Sequence, residues 1–204
     1  MSIKAVIFDL DGTLTEQFFD FDAIRREMGL PEGGGPVLEA MEKMDSTQRQ
    51  RAQDILEAHE QRAIRQSKLN PGTRRTLAAL RRRGILLGVL TRNRRDNAAA
   101  VAGRHGLEFD CILGREDGHV KPDAFGVLRI CESFGVEPRQ TLVVGDYLFD
   151  LLSANAAGAV SVLLTSHPQA DRFTSQAAVT IENLGELLGI VESGEGPQPI
   201  AFAG

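Results

Sequence analysis

Tryptophan is absent from this 204-residue chain, tyrosine occurs once and cysteine twice. So few large polar aromatics leave little from which to build the stacking platforms that hold single-stranded nucleic acid. Cys111 and Cys131 stand apart with no CxxC spacing, which supports neither a disulfide framework nor a zinc cluster. Two reduced thiols packed as small apolar groups are expected instead. No run of about 18 apolar residues occurs, so a membrane-spanning helix is excluded. An excess of basic charge is also missing. The 23 Lys and Arg residues face 28 Asp and Glu, and the formal charge of −5 has the wrong sign for a general nucleic-acid binder. Asp9 interrupts the first apolar stretch too early for a secretory signal, so a cytoplasmic protein is expected.

What is present is the composition of a globular protein, with 42% apolar and 25% charged residues. The length suits one main body with an insert and a monomer. Five short apolar runs recur: Ala5 to Phe8, Ile85 to Leu90, Cys111 to Leu113, Leu142 to Val144 and Val160 to Leu164. Each is nearly continuous, as parallel strands covered on both faces require. Helical spacing lies between them. Leu77 and Leu80 follow Asn70-Pro71, which reads as a capping residue before a first helical proline; Phe125 and Leu128 follow Pro122; Leu148, Leu151 and Leu152 follow Asp146. Strands alternating with helices predict an α/β fold, a doubly wound parallel sheet whose site lies beyond the carboxyl ends of the strands.

The alternation fails once, between the first strand and Pro71. Phe21, Ile24 and Met28, then Val37, Leu38 and Met41, then Ala52, Ile55, His59 and Ala63 mark three helices, with Gly33-Gly34-Gly35 as a turn. Residues 16–69 are therefore expected to form a small all-helical cap, inserted into a core made of residues 1–15 and 70–204. Residues 192–204, holding glycine and proline and few core side chains, read as a frayed mobile tail.

The residues that follow the strands carry the chemistry. Asp9-Leu10-Asp11-Gly12-Thr13 follows the first, Thr91-Arg92-Asn93 the second, and Gly145-Asp146 the fourth, with Asp150 four positions on; Lys121-Pro122 precedes the helix after the third. Asp146 and Asp150 share one helix face. Two carboxylates about 4 Å apart repel by roughly 4 kcal/mol at an effective dielectric of 20. Several of them converging need a counter-charge. A hard divalent cation supplies it, and Mg²⁺ suits a site of few carboxylates, retained water and a substrate phosphate. A lysine beside it would offset charge developing on the phosphate. These residues predict magnesium-assisted phosphoryl transfer.

In order, Asp9-Leu10-Asp11-Gly12-Thr13, Thr91, Lys121 and Gly145-Asp146 with Asp150 resemble the four signature motifs of the haloacid dehalogenase (HAD) superfamily. The helical insert resembles the cap of its phosphoglycolate phosphatase-like branch, although residues 16–69 make a shorter cap than is usual there. The resemblance spans Ile3 to Thr165 and implies a Rossmann-like core and a Mg²⁺-dependent phosphatase acting on a small phosphorylated metabolite, with phosphoglycolate the first named by analogy. It implies Asp9 as the nucleophile forming an aspartyl-phosphate, and Asp11 as the acid that protonates the leaving alcohol and then the base that activates water. It implies metal held by Asp9, the Asp11 backbone carbonyl and Asp146, with Asp150 acting through water or as an orienter. Thr91, the Arg92 amide and Lys121 would hold phosphate, Lys121 also pinning Asp9. Asn93 and Arg25 are the further candidates for touching the rest of the substrate. The cap is expected to close over the pocket and select the leaving group.

Asp11 separates this chain from true dehalogenases, which lack a second aspartate, and from P-type ATPases, which carry threonine there. Two alternatives share much of the pattern. A β-phosphoglucomutase-like mutase would return the phosphoryl group to a sugar. A receiver-type phospho-aspartate signalling domain would place its acceptor after the third strand, where this chain has Gly114-Arg115, and would have no helical insert. Neither a nucleic acid nor a membrane is expected as a partner.

Overall fold

The computed structural model describes residues 2–193 and 196–200. The chain divides into two compact units, one of residues up to Gln17 together with those from Lys68 onward, the other Phe18–Ser67. In the first, the described residues form six strands, β1 (Ala5–Phe8), β2 (Leu86–Leu90), β3 (Cys111–Leu113), β4 (Thr141–Gly145), β5 (Val160–Leu164) and β6 (Val179–Ile181). They make one sheet in the order β3-β2-β1-β4-β5-β6, parallel at every pairing. All residues of β1, β4 and β5 are buried, which is why their sequences run apolar without alternating. The sixth strand was not among the expected ones. It is three residues long at the sheet edge, and Thr180 in its middle is exposed, so it leaves no apolar run to read.

The unit Phe18–Ser67 contains α1 (Phe21–Met28), α2 (Val37–Glu42) and α3 (Ser46–Gln66). Asp20 caps α1 by accepting from the Ala23 amide, and Asp45 with Gln48 forms a reciprocal capping box on α3. Its core joins Ile24 of α1, Val37 and Met41 of α2, and Ala52 and Leu56 of α3. Leu56 rather than Ile55 turns inward on α3, alongside His59, Glu60 and Ala63.

The remaining helices flank the sheet: α4 (Thr73–Arg82), α5 (Arg95–His105), α6 (Phe125–Phe134), α7 (Leu148–Ala157) and α8 (Leu187–Glu192). Ile7, Leu90 and Val143 of the sheet pack with Val127, Ile130 and Cys131 of α6 and Ala154 and Ala157 of α7. Both cysteines are free thiols. Three expectations need correction. Phe125 and Leu128 lie on the exposed side of α6, whose buried side is Gly126, Val127, Ile130 and Cys131. Asn70 does not cap α4, which starts after Gly72. Glu192 closes α8 and pairs with Arg83 rather than starting a tail; residues 194, 195 and 201–204 of that segment lie outside the described residues. Among the described residues no helix is long and apolar enough to cross a membrane.

Candidate active site

The chain lays β1, β2 and β3 outward on one side, then crosses to start β4 on the other side of β1. The connections therefore diverge between β1 and β4, and the crevice at their carboxyl ends is where such sheets bind ligands. Register sets the rest. Phe8 pairs with Val144, and the Asp9 amide donates to the Val144 carbonyl at 2.9 Å, so Asp9 leaves β1 beside the end of β4, where Asp146 follows. Two glycines make room. Gly12 sits at φ +96°, and a Cβ there would lie 2.5 Å from Asp146 Oδ2. A Cβ on Gly145 would lie 2.1 Å from Asp150 Cγ. At both positions a side chain would occupy the space of a carboxylate.

Lys121 lies at the centre. Its Nζ donates to Asp9 Oδ1 at 2.6 Å and to Asp150 Oδ1 at 2.5 Å, and its side chain is 4% exposed. Asp150 Oδ2 accepts from the Tyr147 amide at 3.2 Å, tying the same carboxylate to the first turn of α7. The buried Thr13 hydroxyl donates to Asp146 Oδ1 at 3.0 Å. Burial pushes the Asp9 carboxyl well above the ordinary carboxylate range; Lys121 pulls it back, and Asp150 and Asp146 push it up again. Burial, then the charge of Asp150, raises Asp146 to about 7, against the pull of Thr13 and Lys121. Burial alone would lower the Lys121 ammonium, but Asp150 and Asp9 outweigh it and leave its proton held more tightly than in an ordinary lysine.

Asp9, Asp146 and Asp150 each present a carboxylate oxygen within 4.8 Å of the others. One ammonium against three carboxylates leaves two negative charges unmatched when all are ionised. An all-oxygen donor set with that surplus fits a hard divalent cation. The Asp11 side chain is outside this trio. Its Oδ2 accepts from Asn93 Nδ2 at 3.3 Å.

Thr91 is buried at the end of β2, its hydroxyl oxygen accepting from the Asn93 amide at 3.0 Å. The Arg92 guanidinium lies over the Phe149 ring, 4.8 Å from its centroid, and donates to the Lys121 carbonyl. One side chain thus links the segments after β2, before α6 and at the start of α7. Arg25 belongs to the unit Phe18–Ser67, where its guanidinium engages Asp22 at 2.8 Å and the Gly35 carbonyl. Asn70 serves the site rather than a helix end. Its side-chain amide donates to the carbonyls of Gly12, Thr13 and Thr15 at 3.0, 2.8 and 3.0 Å, and Ser166 donates to Gly12 as well, so the loop bearing Asp9 and Asp11 is clasped from two sides. An Asn just after an insert, where the chain re-enters the core, was the available signal; next to Pro71 it resembled a helix cap.

The family model described as haloacid dehalogenase-like hydrolase matches residues 3–158. Among curated relatives, a phosphoglycolate phosphatase of Chromobacterium violaceum is 27% identical, over 94% of this chain and 98% of that one. An N-acetylmuramic acid 6-phosphate phosphatase of Pseudomonas aeruginosa is 29% identical, over 94% and 96%. The crystal structure of a predicted phosphoglycolate phosphatase from Haemophilus somnus shares the fold with a TM-score of 0.77 at 23% identity, over 94% of this chain and 99% of that one.

Proposed function

The chain belongs to the haloacid dehalogenase-like hydrolase family and is an enzyme of its phosphatase kind, and we propose that it hydrolyses a small phosphorylated metabolite through an aspartyl-phosphate formed on Asp9. The observation that carries this reading is the Lys121 ammonium clamped between Asp9 and Asp150, with Asp146 in the same cluster. An ordinary structural ion pair needs one carboxylate. Three around one lysine leave charge for a cation and a phosphoryl group to share.

In the first half-reaction an Asp9 carboxylate oxygen attacks phosphorus and the bond to the leaving oxygen breaks. Asp11 passes its proton to that oxygen, so the product leaves as a neutral alcohol. In the second half-reaction the Asp11 carboxylate takes a proton from water, whose oxygen displaces Asp9 from phosphorus and yields inorganic phosphate. Lys121 fixes the rotation of the Asp9 carboxyl and offsets negative charge as the phosphoryl oxygens arrive. The Thr91 oxygen accepts from the Asn93 amide, which leaves its hydroxyl proton for a phosphoryl oxygen, and the Arg92 amide supplies a second donor. Asp9, the Asp11 carbonyl and Asp146 would hold Mg²⁺, and the ion would supply neutralisation of the charge shared by carboxylates and phosphate. Asp150 already serves Lys121 and the Tyr147 amide, so it acts by orienting the lysine. Phosphoglycolate, the substrate in the name of one relative, is the first compound to assay.

Phosphate release from a panel of phosphorylated metabolites, with Mg²⁺ or with chelator, tests the proposal. Asp9→Asn is expected to lower turnover by roughly 10⁴-fold, as loss of a nucleophile does. A variant near the wild-type rate overturns the covalent route; turnover indifferent to chelator overturns the metal.

A further inference from the structure

Two residues beyond Thr91, Asn93 occupies a place where a substrate-reading side chain was expected, yet its contacts run inward. It is 8% exposed. Its Oδ1 accepts from the Arg94 amide at 2.8 Å and from Asn97 Nδ2 at 2.9 Å. Those two donors use both lone pairs of the amide oxygen and set which way the group faces, because a flipped Asn93 would turn its NH₂ against two donors. The NH₂ that remains is aimed at Asp11 Oδ2, 3.3 Å away. Asn97 stands on the buried side of α5, so the orientation of Asn93 is anchored in a helix while Asp11 sits in a loop. A contact of 3.3 Å is long, and contacts of this sort commonly tighten when substrate binds.

We propose that Asn93 is a positioning residue that holds the Asp11 carboxyl so that its other oxygen, the one bearing the proton, faces the leaving group. Asn97 holds Asn93 in turn. The proposal rests on the phosphatase reading above, in which Asp11 protonates the leaving oxygen. A carboxamide neither gains nor loses a proton in water, so Asn93 acts by orientation alone. Its contribution is felt where the leaving oxygen needs a proton and is small where it does not. An alkoxide is too basic to leave unprotonated, whereas nitrophenolate departs without help.

The test compares kcat/KM for β-glycerophosphate and for p-nitrophenyl phosphate in wild type, Asn93→Ala and Asn97→Ala. This quantity reports steps up to departure of the leaving group, before water attacks the phospho-enzyme. Asn93→Ala is expected to lose about 30-fold on the alkyl ester and about threefold or less on the aryl ester, with Asn97→Ala shifting the ratio the same way by a smaller factor. Both esters are assayed on one preparation, so any loss of folded enzyme cancels in the ratio. Equal losses on the two esters assign Asn93 to phosphate binding or to the fold and overturn the proposal, as does an unchanged ratio. A wild type that releases phosphate from neither ester nor from any member of the metabolite panel removes the phosphatase reading, and this inference with it.

Discussion

Two ion-pair sites, one in each unit of the chain, handle charge in opposite ways. In Phe18–Ser67 the pair Arg26–Glu32 closes at 2.7 Å with side chains 57% and 60% exposed, and water already solvates both partners. In the other unit Lys121 meets Asp9 and Asp150 at similar distances, but the three side chains are 4%, 12% and 4% exposed. Geometry is alike; solvent is not. Exposed pairs add little to stability, whereas buried charges lose hydration that their partners must replace. A buried cluster with more carboxylates than ammonium groups is a cost to folding, and the chemistry proposed for it would explain why the chain keeps it. Nothing comparable constrains Arg26.

Removing the buried cation should sharpen this contrast most. Lys121→Met leaves Asp9 and Asp150 buried without their partner and is expected to cost about 3–5 kcal/mol. In a chain of this size that lowers Tm by roughly 10 °C, measured by calorimetry at pH 7.5 without metal. A variant as stable as wild type would mean that water reaches the cluster.

Next in size is the pH dependence of the metal-free protein. Asp146 holds its proton up to about pH 7 in the folded state, against about 3.9 in an unfolded chain. Between those values the folded form binds the extra proton, so rising pH favours unfolding. The stabilisation is complete below about pH 4 and is lost as pH climbs to about 7. The metal-free Tm should therefore fall across that window. Asp146→Asn should flatten the fall only in part, because Asp9 is shifted in the same direction. Mg²⁺ added at pH 7.5 should raise Tm in wild type and much less in Asp146→Asn. An equal rise in both would detach Asp146 from the cation. Smallest of all, Arg26→Ala should leave Tm and turnover where they are; a clear loss of stability would show that exposure does not separate the two ion-pair sites.

Much of the fold was legible because burial on both faces writes itself into sequence. The runs at Ala5–Phe8, Leu86–Leu90 and Val160–Leu164 could hardly be anything but interior parallel strands. Val179–Ile181 was missed because an edge strand of three residues is held by its backbone ladder to β5, which no side-chain pattern records. Phe125 and Leu128 misled for the converse reason: helical spacing identifies a face without saying which way it points, and here the buried side is the one with Gly126 and Val127. At the site, the positions after the strands drew attention to Asp9, Lys121 and Asp146. The partners of Arg92, Asn93 and Asn70 were illegible, since each reaches a residue that the sheet brings alongside from a distant segment.

Residue type and order alone determined that acidic, hydroxyl and ammonium groups would stand at the ends of parallel strands, because continuous apolar runs admit few other folds and such folds collect their loops at one edge. Which oxygen each group presents, which lysine contact is shared between Asp9 and Asp150, and whether an asparagine looks outward or toward Asp11 were decided by tertiary structure. Hydrogen bonds are short and directional, and their geometry exists only once segments more than a hundred residues apart, such as Asp9 and Lys121, lie side by side.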